Sequence, residues 1–259
     1  MGAIFHALVY QPLYNILIFL YDFIPGGDFG VAIIVVTVLI KFVLMPLSKK
    51  QIESQKRMQE VQPELKKIQE KYKNNKEEQT RAVMEFYKKN NVNPFMGCLP
   101  MVVQIIFLIA IYRVIINISN AGLTVNQADL YSFIKNPGEI NNWFLGIIDL
   151  SKPNLFVAIL AAGAQFWQTK MMLLKNNKKD EIEKENSKNE KNEKSDKDEK
   201  PDFAQIMNKQ MVVLGPLMTL FIGVKFAAGL AIYWLVSTLF AVFQQMYIFK
   251  KEEELKEKK

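Results

Sequence analysis

The chain has 259 residues, of which 50% are hydrophobic and 23% are charged, and its formal net charge at pH 7 is +7. A single histidine, His6, and a single cysteine, Cys98, exclude an internal disulfide and a transition-metal site built from these residue types. The apolar residues are gathered into runs of about 15 to 23 residues with the charges between them, a pattern typical of an integral membrane protein. The sequence also lacks a P-loop, a Gly-rich dinucleotide turn and a serine elbow, so we predict no cofactor, no metal and no catalytic residue.

The first apolar run, residues 4–24, carries a polar stripe made of Gln11, Asn15 and Asp22. These side chains lie close together on a helical wheel, and Pro12 interrupts the backbone hydrogen bonds early in the run. The stripe favours an amphipathic helix that lies in the membrane interface, with a complete span as the alternative.

Five later runs are apolar and long enough to be membrane-spanning helices. The predicted spans are 29–47, 95–116, 154–174, 209–225 and 226–248. They leave a segment 1–28 before the first span, connections at 48–94, 117–153 and 175–208, and a tail at 249–259. The fourth and fifth spans follow one another directly and are therefore expected to form a hairpin.

The distribution of Lys and Arg predicts the orientation of these spans. Both residue types are abundant at 48–94, at 175–208 and in the tail, whereas the connection at 117–153 contains only Lys135 and Lys152. Loops rich in Lys and Arg remain on the cytoplasmic side of a membrane. We therefore predict that the three basic segments are cytoplasmic and that the N-terminus and the connection at 117–153 are external.

The two cytoplasmic loops differ in character. The stretch 175–201 consists mostly of Lys, Glu, Asn and Asp, so we predict that the whole connection at 175–208 is a disordered tether. Affinity of this stretch for anionic lipid or RNA is a weaker alternative, because its acidic residues nearly balance its basic ones.

The connection at 48–94 is predicted to be an antiparallel helical hairpin. Apolar residues recur at coiled-coil spacing from Met58 to Tyr72, Pro63 predicts a bend or a restart, and "KNNKEE" (73–78) supplies the turn. Such a hairpin could simply pack on itself, or its apolar residues could also contact a substrate or partner. The candidate contact residues are Met58, Val61, Leu65, Met84, Phe86 and Tyr87.

Polar side chains occur at interior depth in four of the five predicted spans. They are Thr37, Lys41, Gln104, Gln165, Gln168, Tyr233, Ser237 and Gln244, with Trp234 beside them. For a single Gln, a hydrogen bond between helices is an equally good explanation. For Lys41, with no acidic residue in any predicted span, the alternatives are snorkelling to the cytoplasmic surface and a hydrated groove in which Lys41 is the fixed positive charge. We favour the groove.

Four stretches, in order along the chain, resemble the YidC–Oxa–Alb family of membrane protein insertases. They are "MQEVQPELKKIQEKY" (58–72) with "FYKKNNVNP" (86–94), "NPFMGCLPMVVQIIFLIAIY" (93–112), "FLGIIDLSKPN" (144–154) and "GLAIYWLVSTLFAVFQQ" (229–245). The resemblance runs from about residue 8 to residue 248, apart from the charged stretch 175–201.

The resemblance implies an all-α integral membrane fold. In this family five transmembrane helices surround a hydrophilic groove that is open to the cytoplasm, with an interfacial N-terminal helix and a cytoplasmic helical hairpin. A positive residue of the first span lies in the groove; it is usually Arg and here is Lys41, which keeps the charge but loses the planar guanidinium fork. Ile106, Ala227 and Thr238 also depart from the usual residues, and we expect these changes to alter helix ends and packing.

The implied function is the insertion and folding of nascent membrane proteins in a bacterial cell membrane, without covalent catalysis. The implied partners are nascent membrane proteins, the ribosome, the Sec translocon or signal recognition machinery, and membrane lipids, with no role for DNA.

Two other classes of protein compete with this interpretation. A small-solute or anion transporter or channel could use Lys41 to bind its anion, but the sequence shows no internal repeat. An integral-membrane enzyme would need a cluster of His, Asp, Glu or Cys within the spans.

Overall fold

The computed structural model describes residues 2–93, 99–188 and 203–257. Its helices are α1 (Ala3–Phe5), which continues through a π-helical turn at His6–Tyr10 into α2 (Gln11–Phe23), then α3 (Phe29–Val43), α4 (Met45–Glu60), α5 (Gln62–Lys71), α6 (Lys76–Lys89), α7 (Leu99–Asn120), α8 (Leu155–Lys188), α9 (Phe203–Lys225) and α10 (Ala228–Glu257). A 3₁₀ turn (Gln127–Asp129) and an antiparallel hairpin of β1 (Trp143–Phe144) and β2 (Ile148–Asp149) lie between α7 and α8.

The structure divides into two compact units, and the chain passes from the first unit into the second and back again. The large unit consists of Met1–Ile40 and Leu108–Lys259, and the small unit is Lys41–Phe107. The large unit holds α1, α2, most of α3, the second half of α7, the β-hairpin and α8 to α10. The small unit holds α4, α5 and α6 with the adjoining ends of α3 and α7.

Apolar helices of membrane-spanning length occur in both the N-terminal and the C-terminal parts of the described chain. The helical segments that are long and apolar enough to cross a membrane are Ala3–Phe23, Val102–Asn120 and Ala228–Ile248. The pair Phe29–Val43 and Met45–Ser54, bent by 61°, would be a fourth if it is one span, and Val212–Lys225 is a shorter apolar helix. The all-α membrane class is therefore confirmed, whereas the number of five spans stays a prediction.

Prolines explain where α4 and α5 begin. α3 ends at Val43 and α4 begins at Met45, so the first predicted span is interrupted before residue 47. Pro46 stands in the first turn of α4, where its missing N–H is tolerated but its ring clashes with the turn before it, which accounts for the 61° bend. In the same way, Pro63 predicts a restart, and α5 begins at Gln62.

The charged connection, predicted to be disordered, is helical at both of its ends. α8 continues to Lys188 and α9 begins at Phe203, so helix occupies both ends of the predicted disordered loop at 175–208. Lys and Glu are good helix formers, and an existing helix such as α8 can be extended without a new nucleation step. The lack of apolar residues decides whether a segment is buried, not whether it is helical. Residues 189–202 lie outside the described residues.

Small residues on one face of α9 bring it close to α8 in the large unit. A Cβ placed on Gly223 would lie 2.6 Å from the Cβ of Ala158 and 2.9 Å from its Cα. Thr219 and Gly215 follow on the same face at four-residue spacing, and Thr219 is buried, with its hydroxyl donating to the Gly215 carbonyl at 3.1 Å. Small residues at this spacing let two membrane helices approach closely. Thr219 is a buried polar residue in the fourth predicted span, for which the sequence predicts none.

Three helices of the large unit meet where α10 begins. A Cβ on Gly229 would lie 2.8 Å from Cδ1 of Ile115 in α7 and 3.3 Å from Cδ1 of Ile33 in α3. Close by, the rings of Tyr112 and Phe226 make an edge-to-face contact with centroids 5.4 Å apart. The core of this unit is therefore closely packed around the first turn of α10.

The polar stripe of α2 contacts the α7–α8 connection, which is residues 121–154. Asn15 is 1% exposed. Its Nδ2 donates to the backbone oxygen of Asp129 at 2.8 Å, and its Oδ1 accepts from the backbone N–H of Tyr131 at 2.6 Å. The hydroxyls of two tyrosines on α2 accept backbone N–H groups of the same connection at 2.8 Å: Tyr14 from Asn126 and Tyr21 from Asn141.

These contacts give the polar stripe a role that does not depend on the membrane interface. A helix whose polar side chains bind protein backbone can have a polar stripe at any depth, because its polar groups are satisfied internally. The segment Ala3–Phe23 also meets the length and composition of a span. The interfacial position of the N-terminal helix therefore stays a prediction.

Replacing Asn15 with Leu is expected to loosen the α7–α8 connection. The change leaves the Tyr131 N–H without its acceptor and leaves the Asp129 carbonyl only the longer hydrogen bond from Gln11 at 3.4 Å. A group left unpaired costs roughly 1–3 kcal/mol when it is buried. Protease cleavage within 126–131 should then be several-fold faster than in the wild-type protein. Asp22→Leu, at an exposed position of the same stripe, is the matched control and should leave the cleavage rate unchanged. Equal rates for the two variants would contradict the role of Asn15.

Candidate functional site

Lys41 has a neutral hydrogen-bond partner in the small unit. It lies near the end of α3, and its Nζ donates to Oε1 of Gln104, near the start of α7, at 3.2 Å. Both side chains are half-buried. A side-chain amide satisfies one donor of the amine without cancelling its charge, as a carboxylate would. The pair therefore holds a positive charge within apolar helices.

A second polar cluster joins α8 and α10 in the large unit. Oε1 of Gln165 accepts from Nε1 of Trp234 at 3.2 Å and from the hydroxyl of Thr238 at 3.5 Å. One amide oxygen thus links two consecutive turns of α10 to α8. The sequence predicts Gln165 and Trp234 as site residues but not Thr238. The signal was present, because Thr238 follows Trp234 by four residues and so shares its helix face.

The remaining predicted groove residues of the large unit make contacts within their own helices or lie beside the clusters. Tyr233 and Ser237, one turn apart on α10, are both buried and hydrogen-bonded to each other. The hydroxyl of Thr37 donates to the Ile33 carbonyl of its own helix at 2.6 Å, and Thr37 is buried. Gln168 is half-buried on α8, one turn from Gln165.

The structure brings predicted residues together in three pairs, one in the small unit and two in the large unit. Lys41 and Gln104 pair in the small unit, while Gln165 contacts Trp234, and Tyr233 contacts Ser237, in the large unit. That all of them line one groove stays a prediction. Within the part of the chain that the structure describes, no group of three or more His, Cys, Asp or Glu residues could hold a metal ion.

The predicted cytoplasmic hairpin at 48–94 contains most of α4 together with α5 and α6, and α5 and α6 pack against each other. Nε2 of Gln79 in α6 donates to the Gln69 carbonyl of α5 at 2.6 Å, and the Asn75 side chain caps α6 by accepting from the Glu78 N–H at 3.2 Å. Leu65 is buried, so packing explains this member of the predicted contact set.

The other candidate contact residues of the hairpin are more accessible. Met84 is 49% exposed, and the rest are half-buried, namely Met58, Val61, Phe86 and Tyr87. Burial raises the pKa of the Tyr87 hydroxyl above its usual value. Met84 is therefore the candidate whose side chain a partner could reach most directly.

Leu65 and Met84 provide a test that separates packing from recognition. Leu65→Ala removes a buried side chain and should destabilise the pair α5 and α6 by about 2–3 kcal/mol, so backbone amides of both helices should exchange hydrogen faster. Met84→Ala removes an exposed side chain of similar size and should leave that exchange unchanged. Two results would contradict the assignment of packing to Leu65 and of recognition to Met84. They are faster exchange in Met84→Ala and an unchanged exchange rate in Leu65→Ala.

Apolar helices of membrane-spanning length, with polar clusters inside them, define an α-helical integral membrane protein. Comparison with known proteins gives the family. Residues 19–256 match the family described as "60Kd inner membrane protein". The chain belongs to this family, and it is a bacterial membrane protein.

Three relatives carry the name "Membrane protein insertase YidC". The protein of Fusobacterium nucleatum is 32% identical over 225 residues, which cover 87% of this chain and 88% of that protein. The protein of Citrifermentans bemidjiense is 33% identical over 242 residues, covering 93% of this chain and 36% of that protein. The protein of Rickettsia conorii is 31% identical over 252 residues, covering 94% of this chain and 39% of that protein. The chain thus spans little more than a third of the length of the last two relatives.

Proposed function

We propose that the protein is a membrane protein insertase and chaperone, which inserts nascent integral membrane proteins and helps them to fold, without covalent catalysis. Membership of the family supports this function, as does the name of the Fusobacterium relative, which matches along most of both chains. The observation that carries the proposal is the pair formed by Lys41 and Gln104, a positive charge held within apolar helices by a neutral partner. A charge at this depth is costly and marks a functional site.

The proposed arrangement has five spans around a groove that is open to the cytoplasm. The distribution of Lys and Arg supports an external N-terminus, a cytoplasmic C-terminus and a multi-pass position in the bacterial cell membrane. Lys41 and Gln104 would contribute to the groove, together with Gln165 and Trp234. That these residues share one groove rests on the resemblance of the sequence to the family.

In the proposed mechanism, the client enters the groove from the cytoplasm with its apolar segment and a short polar or acidic tail. The tail is attracted to Lys41, and the polar side chains of the groove replace part of the water that its backbone loses. Two opposite charges about 6 Å apart attract each other by about 3 kcal/mol at an effective dielectric constant of about 20. The apolar segment then leaves sideways into lipid, and the burial of roughly 20 apolar residues drives the step forward.

The cytoplasmic segments would deliver the client. The hairpin of α5 and α6 would contact the client, the signal recognition machinery or the Sec translocon through side chains such as Met84. The tail "KKEEELKEKK" (250–259) carries several lysines that could neutralise phosphates of ribosomal RNA or of anionic lipids without reading any sequence.

The function can be tested in vesicles that contain this protein alone. A single-span client with an acidic tail is added, and insertion is scored by protection of the tail from protease. We expect protection well above that of empty vesicles. Protection equal to that of empty vesicles, together with a selective ion flux through the protein, would contradict the insertase and support a channel.

A further inference from the structure

The β-hairpin of the α7–α8 connection presents an apolar tip. Residues 143–148, "WFLGII", contain no charge. Three of their side chains are largely exposed, Trp143 at 48%, Leu145 at 64% and Ile147 at 77%. Phe144 instead packs on Gly30 of α3, where a Cβ would collide with the phenyl ring. The hairpin therefore uses one large side chain for packing and leaves three uncovered, which is unusual for a short turn facing water.

The backbone at the tip is strained in order to place one of these side chains. Leu145 has φ = 51° and Gly146 has φ = 69°. Gly or Asn would adopt the left-handed conformation at position 145 at lower cost, whereas a branched apolar residue such as Leu is disfavoured there. A large apolar residue at such a position points to a role for its exposed side chain rather than for the turn.

Hydrogen bonds fix the tip beside the start of α3. Oδ2 of Asp28 accepts the Leu145 N–H at 2.6 Å, while its Oδ1 accepts the Val31 N–H at 2.9 Å. One carboxylate thus holds both the first turn of α3 and the turn of the β-hairpin. The tip cannot move away from this helix end without exposing the amide groups that Asp28 satisfies.

The residues after β2 connect the hairpin to a second helix end. The Leu150 carbonyl accepts the Gly229 N–H at 3.1 Å, and the Lys152 carbonyl accepts the Ala228 N–H at 2.8 Å. These are the first N–H groups of α10, whose segment Ala228–Ile248 is apolar and long enough to span a membrane. The hairpin therefore lies at the level where α3 and α10 begin, which is the level of the lipid headgroups for helices that cross the bilayer.

We propose that the tip formed by Trp143, Leu145 and Ile147 inserts into the lipid headgroup region at the membrane face where α3 and α10 begin. The first residues of α8, Leu155 and Phe156, are also exposed apolar side chains, and α8 follows the hairpin directly along the chain. Tryptophan is enriched at this depth, because its ring is apolar and its N–H can remain hydrated. The tip anchors the α7–α8 connection to the bilayer surface.

A spin label at the tip tests this proposal. In a Cys98→Ser background, which removes the single native cysteine, Ile147→Cys carries a nitroxide label and Ala128→Cys carries the same label as a control. Ala128 is exposed in the same connection, next to polar residues. The full chain is reconstituted in vesicles of phosphatidylethanolamine and phosphatidylglycerol. The label at 147 should be several-fold more accessible to oxygen than to a water-soluble nickel complex, and the label at 128 should show the reverse.

Two results would overturn the proposal. Equal access of the nickel complex to both labels would place the tip in water, and dipolar coupling between labels at 147 would show that a second copy of the chain covers it.

A second measurement leaves the hairpin unchanged, in case the cysteine variant does not fold. With Trp167→Phe and Trp234→Phe, the fluorescence of Trp143 should be quenched by lipids brominated near the headgroup, and unquenched fluorescence would also refute the insertion.

Discussion

Replacing Lys41 with Glu should abolish most of the insertion of clients that have an acidic tail. The change converts an attraction of about 3 kcal/mol into a repulsion of similar size. Because every 1.4 kcal/mol corresponds to a factor of ten, insertion should fall by at least about tenfold. Lys41→Ala, which removes the attraction without adding a repulsion, should have a smaller effect of the same sign. Protection of the client tail in vesicles measures all three proteins.

The controls for this prediction separate charge from structure. Lys41→Arg keeps the charge and should retain insertion, and it can add a second hydrogen bond to Gln104 through its planar fork. A client with a neutral tail should be inserted about equally well by the Glu variant and the wild type. If Lys41→Glu inserted both clients as well as the wild type does, Lys41 would not act as a counter-charge.

Replacing Gly223 with Val should destabilise the large unit, because it overpacks the contact between α8 and α9. A Cβ at this position would lie 2.6 Å and 2.9 Å from atoms of Ala158, one of them in the backbone. Neither atom can move without shifting a helix, so α8 and α9 must separate. Overpacking of this kind costs about 1–3 kcal/mol, which corresponds to a fall in Tm of about 2–12 °C for a chain of this size. Thermal unfolding in detergent provides the measurement.

Gly163 of α8 supplies the matched control. No atom lies within 4 Å of a Cβ added there, so Gly163→Ala should leave Tm unchanged or raise it slightly through the better helix propensity of alanine. Gly223→Ala should fall between the two, since its Cβ collides while its helix propensity improves. An unchanged Tm for Gly223→Val would mean that α8 and α9 do not approach each other at this position.

The features that follow from local sequence were predictable. The apolar runs predict helices at α3, α7 and α10, and Pro63 predicts the restart at α5 because proline acts through its own backbone. Lys41 stood out as a charge in an apolar run. The hydrogen bond from Lys41 to Gln104 could not be derived, because the two residues are far apart in the chain. The sequence does not show which glutamine the packing of the helices brings next to Lys41.

The features that depend on distant contacts were not predictable. The stripe on α2 indicated a helix facing an interface, yet Asn15 binds the backbone around residue 130, which no helical wheel can reveal. A different limit applies to the charged stretch after residue 174. Its lack of apolar residues predicts that it is not buried, and this does not exclude the helix that α8 extends into it. The small residues on α9 are typical of close helix packing, but the sequence does not show that Gly223 packs against Ala158 of α8.

The first turn of α10 is tied to the chain just before α8 by the backbone N–H groups of Ala228 and Gly229. These bonds prevent the two helices from sliding past each other along their axes, because any such movement would break them. The oxygen of Gln165 therefore meets Trp234 and Thr238 at a constant depth. If α8 and α10 separate to release a client, they must rotate apart about the end held by these two hydrogen bonds. The gap between them would then be widest at the opposite end of the helices.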